Sequence, residues 1–159
     1  MHSVVRLQPL LIHLGAPLLV GAASSYLTRD MAGVYGSLAL PFFAPPAAAF
    51  PIIWTILYLV MGFAAYLVYT ERRISRPDRN TTMTLYGLTL LVGGLFNLLF
   101  FRYRLFGVAA VWTIVMLAAT GLCAALFYRI RPLAGKLFFP ALGWLAYVSL
   151  ISFSVAAMN

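Results

Sequence analysis

The chain is poor in acid. Three Asp and Glu residues stand against eleven Lys and Arg, and charged residues make up only 9% of 159 residues. All three acids, Asp30, Glu71 and Asp78, fall in breaks between apolar runs. Proton- and ion-coupled transporters place paired ionisable groups at membrane depth. Their scarcity here argues against ion-coupled pumping and leaves passive movement of a ligand open. Histidine is as rare, with His2 in the tail and His13 in the first apolar run. A metal site needs three or four ligands, so no metal site is expected, and His13 reads as a hydrogen-bonded interior or interface residue. The single cysteine, Cys123, excludes an intrachain disulfide and reads as a small buried hydrophobe. No nucleotide loop, hydrolase elbow or zinc-protease motif occurs. No catalytic residue is assigned and no cofactor is required.

What the chain has instead is apolar surface: 64% of residues are hydrophobic and the mean hydropathy is +0.97. A soluble domain of this length could not keep so much apolar surface from water, so lipid is one of its solvents. The net charge of +8 does not signal nucleic acid, because the cations flank the apolar runs. That is the distribution of helix anchors and anionic-lipid contacts. A helix needs about 20 apolar residues to cross the hydrocarbon core. Five such runs are present, roughly 8–27, 47–70, 83–101, 105–128 and 133–157. They are continuous rather than alternating, which excludes a β-barrel. The expected fold is an all-α, five-transmembrane-helix bundle forming one domain over residues 1–159. The first run reads as a span, not as a cleaved signal peptide.

Residues 29–46 form the one long connection, mixing turn formers with Tyr35, Phe42 and Phe43. Such a loop is usually functional, and its apolar content predicts that it packs over one mouth of the bundle. Arg6, Arg72, Arg73, Arg76, Arg79, Arg129, Arg131 and Lys136 lie on the amino-terminal side, and only Arg29, Arg102 and Arg104 on the other. In a cytoplasmic membrane this bias puts the amino terminus inside.

Pockets for flat hydrophobic molecules are lined by aromatics with a few placed polar groups. Phe50, Trp54 and Tyr58 recur at four-residue spacing and share one helix face. Thr89, Gly93 and Asn97 do the same in the third span, with Phe100 one turn beyond, and the fifth span carries Trp144 and Tyr147 after Pro140. Each stripe is equally readable as packing, interfacial anchoring or a helix seam. Gly87, Gly93 and Gly94 would suit a seam between two copies of the chain. A carboxamide at membrane depth needs partners, so Asn97 either ties helices together or meets a ligand.

The stretch Val34-Tyr35-Gly36-Ser37-Leu38-Ala39-Leu40-Pro41-Phe42-Phe43-Ala44-Pro45-Pro46, continuing to Phe50-Pro51-Ile52-Ile53-Trp54-Thr55-Ile56-Leu57-Tyr58, closely resembles the TspO/translocator protein family, also called the peripheral benzodiazepine receptor or tryptophan-rich sensory family. Asn97-Leu98-Leu99-Phe100 is similar to the family's third-span N-x-x-W, and Phe139-Pro140-Ala141-Leu142-Gly143-Trp144 to its fifth-span [FV]-P-Y-x-x-W. The likeness extends over nearly the whole chain. It implies a five-helix bundle, commonly a homodimer, that binds porphyrins and haem-like tetrapyrroles, sterols such as cholesterol, or isoquinoline-type ligands. By position it implies a pocket of Tyr35, Trp54, Tyr58, Asn97, Phe100 and Trp144. The chain departs from the family pattern at Val34, Leu40, Phe100, Ala141 and Ile151-Ser152, where the family has Trp, Lys, Trp, Tyr and Leu-Asn. The implied function is a membrane receptor or binding protein for such ligands, with transport or a regulatory role. The alternatives are light-dependent porphyrin degradation, which would yield a new product, and a structural or partner-regulating role, which would show no saturable ligand binding.

Overall fold

The structure, a computed structural model, describes residues 7–159; His2 and Arg6 lie outside the described residues. Those residues fold into helices, with no strand among them: α1 (Leu7–Leu27), α2 (Met31–Gly36), α3 (Ala49–Tyr69), α4 (Arg76–Asn97) running into a π turn (Leu98–Arg102), α5 (Phe106–Ile130), α6 (Pro132–Lys136) and α7 (Phe139–Met158). Five helical stretches are long and apolar enough to cross a membrane. α1 packs chiefly on α3, α5 on α7, and α4 between α1 and α5. Leu11, Leu19, Ile52, Ile56, Leu91, Val111, Leu122 and Leu150 are exposed on the outside of the bundle, as a helix facing lipid requires. The interior holds two apolar clusters. One centres on Met61, Ala65, Tyr86, Phe127 and Phe138, the other on Tyr35, Phe50, Phe96, Phe100 and Val148, and Trp54 and Trp144 pack against both.

Three boundaries differ from the apolar runs. The third span begins at Arg76, seven residues before Met83, because Ser75 caps it: Asp78 N–H donates to Ser75 Oγ at 3.2 Å, and a proline sits in the first turn. Serine caps and first-turn proline favour helix starts whatever the hydropathy. The polar turns from Arg76 to Thr82 therefore extend the helix beyond the apolar segment. The long connection is not wholly irregular, since α2 occupies Met31–Gly36 and buries Val34 and Tyr35. The fifth span is broken: α6 stops at Lys136 and α7 starts at Phe139. A side chain at Gly135 would lie 2.7 Å from the Tyr128 backbone nitrogen, so only glycine lets α6 fold back onto α5.

α1 and α3 meet backbone to backbone. Pro17 lies inside α1. It has no N–H to give the carbonyl four residues earlier, which is that of His13. A Cβ built on Gly62 of α3 would overlap this His13 oxygen and lie 3.1 Å from Leu14 Cα. Glycine is thus what allows α3 to approach the bared carbonyl, where its Cα–H can take a weak hydrogen-bonding role. The His13 ring stays local, as its scarcity suggested: Nδ1 donates to Pro9 O at 2.7 Å and the ring packs 4.7 Å from Tyr69. The glycines of α4 serve the bundle too. A Cβ at Gly94 would lie 3.2 Å from Val20 of α1, and one at Gly93 would lie 3.8 Å from the Tyr58 hydroxyl. Gly94 therefore faces α1 of its own chain rather than a seam with a second copy, while Gly87 has open space.

Gly62→Ala should melt below Gly15→Ala by the equivalent of about 1–3 kcal/mol, the usual cost of overpacking. Gly15 has nothing within 4 Å of a built Cβ, so both variants share the helix-propensity gain and only one meets a backbone. Thermal unfolding in one detergent compares them; equal melting temperatures would refute the close contact.

Candidate functional site

α1 and α3 run antiparallel from their contact at Gly62, and towards the end of the bundle that carries the long connection a cleft opens between them. Its volume is about 290 Å³, near the lower end for small-molecule sites. Phe50, Trp54 and Tyr58 form the α3 wall, and Leu18, Gly21, Ala22 and Ser25 form the α1 wall. Met31 and Asn97 contribute to the lining from α2 and α4. The four-residue spacing that put the three aromatics on one face is the reason they line one surface. Trp54 and Tyr58 pack 5.4 Å apart with planes inclined by 35°. The Tyr58 ring lies directly on the α1 backbone, because a Cβ at Gly21 would be only 2.7 Å from Tyr58 Cε2. A larger residue at Gly21 would push that ring into the cleft.

Asn97 ties helices together and also lines the cleft. Its Nδ2 donates to Ser24 Oγ at 2.8 Å, and Ser24 Oγ donates on to Gly94 O at 3.1 Å. This relay ties α4 to α1 and satisfies polar groups that lipid could not. The same side chain forms part of the cleft wall, leaving its carboxamide oxygen with no protein donor among the described residues.

Of the six residues expected at the pocket, the structure brings Trp54, Tyr58 and Asn97 onto the cleft. Tyr35 and Trp144 stand one layer behind, and both press on Phe50, at 5.3 and 5.7 Å between ring centroids. Phe50 lines the cleft itself, so these two rings set its position. Phe100 is turned away and packs with Phe96, Phe101 and Phe106. The cause is the π turn that begins at Leu98, where Tyr103 N–H reaches back five residues to Leu98 O. Wider winding takes Phe100 off the Asn97 face that a regular helix would share. The α1 wall was not anticipated. Its signal is the small-residue pair Gly21 and Ser25 at four-residue spacing, which in an otherwise bulky span marks a face that something must approach.

The long connection packs over this end of the bundle. Tyr35 Oη donates to Pro45 O at 2.8 Å, Tyr147 Oη donates to Phe43 O, and the Asn159 carboxamide pairs with both the N–H and the carbonyl of Ala39 at 3.0 Å. Burial, reinforced by the neighbouring Tyr147, pushes the Tyr35 hydroxyl up to about 12, so it remains a donor across the physiological range. Among the described residues no group of His, Cys, Asp and Glu could hold a metal ion.

Fold and cleft together define a multi-pass helical membrane protein with an aromatic-lined cleft beside a packed-down loop. The TspO/MBR family profile matches residues 13–158. The chain is 31% identical over 125 residues to the translocator protein of Sus scrofa, covering 76% of this chain and 72% of that one. It is 28% identical over 147 residues to the tryptophan-rich protein TspO of Archaeoglobus fulgidus, covering 91% and 92%, and 29% identical over 131 residues to protein CrtK of Rhodobacter capsulatus, covering 79% and 78%. The chain belongs to the TspO/MBR family.

The Asn97–Ser24 relay makes a testable claim on stability. Asn97→Leu and Ser24→Ala should each lower stability by about 0.6–1.7 kcal/mol, between the average and the maximum measured for interhelical hydrogen bonds in a membrane protein. The double variant should lose clearly less than the sum, since one bond cannot be broken twice. Strict additivity in thermal unfolding would disprove the relay.

Proposed function

We propose that the protein is a membrane receptor that binds a flat, largely apolar ligand of the tetrapyrrole class in the cleft between α1 and α3. The observation that carries this reading is the continuous aromatic wall of Phe50, Trp54 and Tyr58, with the Asn97 carboxamide in the same lining. A planar ring gains most from inclined or offset aromatic neighbours, and a single placed amide fixes orientation without demanding an ionic partner. Family membership supports the same ligand class, as do the close motif matches around Trp54 and Tyr58. Residues 29–46 act as a lid held by Tyr35, Tyr147 and Asn159. No Asp, Glu, His, Lys or Arg lines the cleft, which favours binding and release over acid–base chemistry. Isoquinoline-type molecules would stack on Trp54 as tetrapyrroles would, and sterols, which share the apolar bulk but not the aromatic face, are disfavoured.

Titrating the purified protein with protoporphyrin tests the site. Tryptophan emission should be quenched saturably, and Trp54→Phe should remove most of the quenching. Trp112→Phe should leave it intact, because Trp112 is committed elsewhere, its Nε1 donating to Val92 O at 2.9 Å. Quenching that survives Trp54→Phe and disappears with Trp112→Phe would place the ligand elsewhere.

A further inference from the structure

A second cavity of about 400 Å³ adjoins the aromatic cleft at the loop end of the bundle. Its walls come from the end of α1, the start of α2 and the turn after α4, and they include Arg29, Arg102 and Arg104. Among the described residues these three are the only cations on this side of the bundle. Scattered anchoring arginines would point to separate patches of headgroups; here all three converge on one cavity. The single acid there is Asp30, whose Oδ1 lies against α2, 2.6 Å from a Cβ built on Gly33. No ion pair among the described residues neutralises any of the three guanidinium groups. Arg29 is instead set over the Tyr26 ring at 4.4 Å. Arginine's planar fork suits carboxylate and phosphate oxygens, and such charge-assisted bonds are the strong ones.

Met31 lines both cavities. Along α1 and the turn after it the walls are also continuous, with Leu18, Gly21, Ala22 and Ser25 on the aromatic cleft and Tyr26 and Arg29 on the basic one. From Leu18 to Leu27 is about 14 Å of helix at 1.5 Å per residue, and Arg29 follows in the turn after it. We propose that Arg29, Arg102 and Arg104 form an oxyanion site for the acidic group of an amphiphile whose apolar body lies in the aromatic cleft; this rests on the ligand reading above. The site sorts ligands by charge. A flat apolar molecule bearing a carboxylate or phosphate at one edge engages both cavities, and a neutral analogue engages only the aromatic one.

The test uses the full chain in nanodiscs of phosphatidylcholine, with Trp54 quenching as the readout. Protoporphyrin IX, a dicarboxylic acid, should bind at least tenfold more tightly than its neutral dimethyl ester. The double variant Arg102→Gln, Arg104→Gln should bring the diacid to the affinity of the ester while leaving ester binding unchanged. Intact ester binding also shows that the variant is folded. Equal affinities for diacid and ester in the parent protein, or a difference that persists in the double variant, would overturn the oxyanion site while leaving the aromatic cleft standing. Quenching by neither compound would overturn the cleft and this site together. Phosphatidylglycerol mixed into the nanodiscs identifies the source of the oxyanion. If it lowers diacid affinity in the parent but not in the double variant, lipid phosphate occupies the arginines; if it leaves affinity unchanged in both, the ligand's own carboxylates do.

Discussion

The structure depends on one contact between two backbones in a medium that offers no hydrogen bonds. Pro17 leaves the His13 carbonyl without its helical donor, and Gly62 allows α3 to come against it. In lipid there is no hydrophobic drive to press helices together, so close van der Waals approach must do it. This contact fixes α1 on α3 at one end of the pair. Towards the other end the aromatic side chains of α3 stand between the helices, and the space they leave is the cleft. A cleft built this way needs no void in the packed interior. It is the difference between a contact with no side chain in it and one with three rings in it.

The remaining elements hold that wedge open. Asn97 and Ser24 join α4 to α1 beside the cleft. Tyr35 from the loop and Trp144 from α7 brace Phe50 from two directions. The positions at which the chain departs from its family fit this picture. Val34 is buried in the apolar cluster beneath the loop, and Leu40 packs against the same cluster. Ala141 lines a void of about 20 Å³ together with Trp54 and Tyr58. At these places the chain uses apolar or smaller residues, and the loop is retained by hydrogen bonds to backbone carbonyls instead.

Much of this was legible in the sequence because lipid imposes simple rules. Continuous apolar runs located all five spans, and the four-residue spacing of Phe50, Trp54 and Tyr58 identified the wall that lines the cleft. What hydropathy could not show was any feature made by local polar chemistry. The Ser75 cap lengthened α4 beyond its apolar stretch, and the last span breaks between Lys136 and Phe139, just ahead of the proline in the first turn of α7. The α1 wall escaped notice because that helix is apolar on every side, and small residues such as Gly21 carry no hydropathy signal. Tyr35 and Trp144 were found by motif, but a motif does not distinguish a ring that lines a cavity from a ring that supports one.

The π turn after α4 gives residue count an importance that residue identity lacks. A regular helix advances about 100° per residue, so the one extra residue accommodated between Leu98 and Arg102 resets the phase of everything behind it. Phe100 and Phe101 are both buried there, and Arg102 emerges beside the loop. Phe100 and Phe101 are large apolar side chains held by packing alone, so another of similar size would meet the same neighbours. The length of the segment is the quantity under constraint. Loss of a single residue would restore ordinary winding, swing the arginine around the helix, and leave every remaining side chain chemically unaltered.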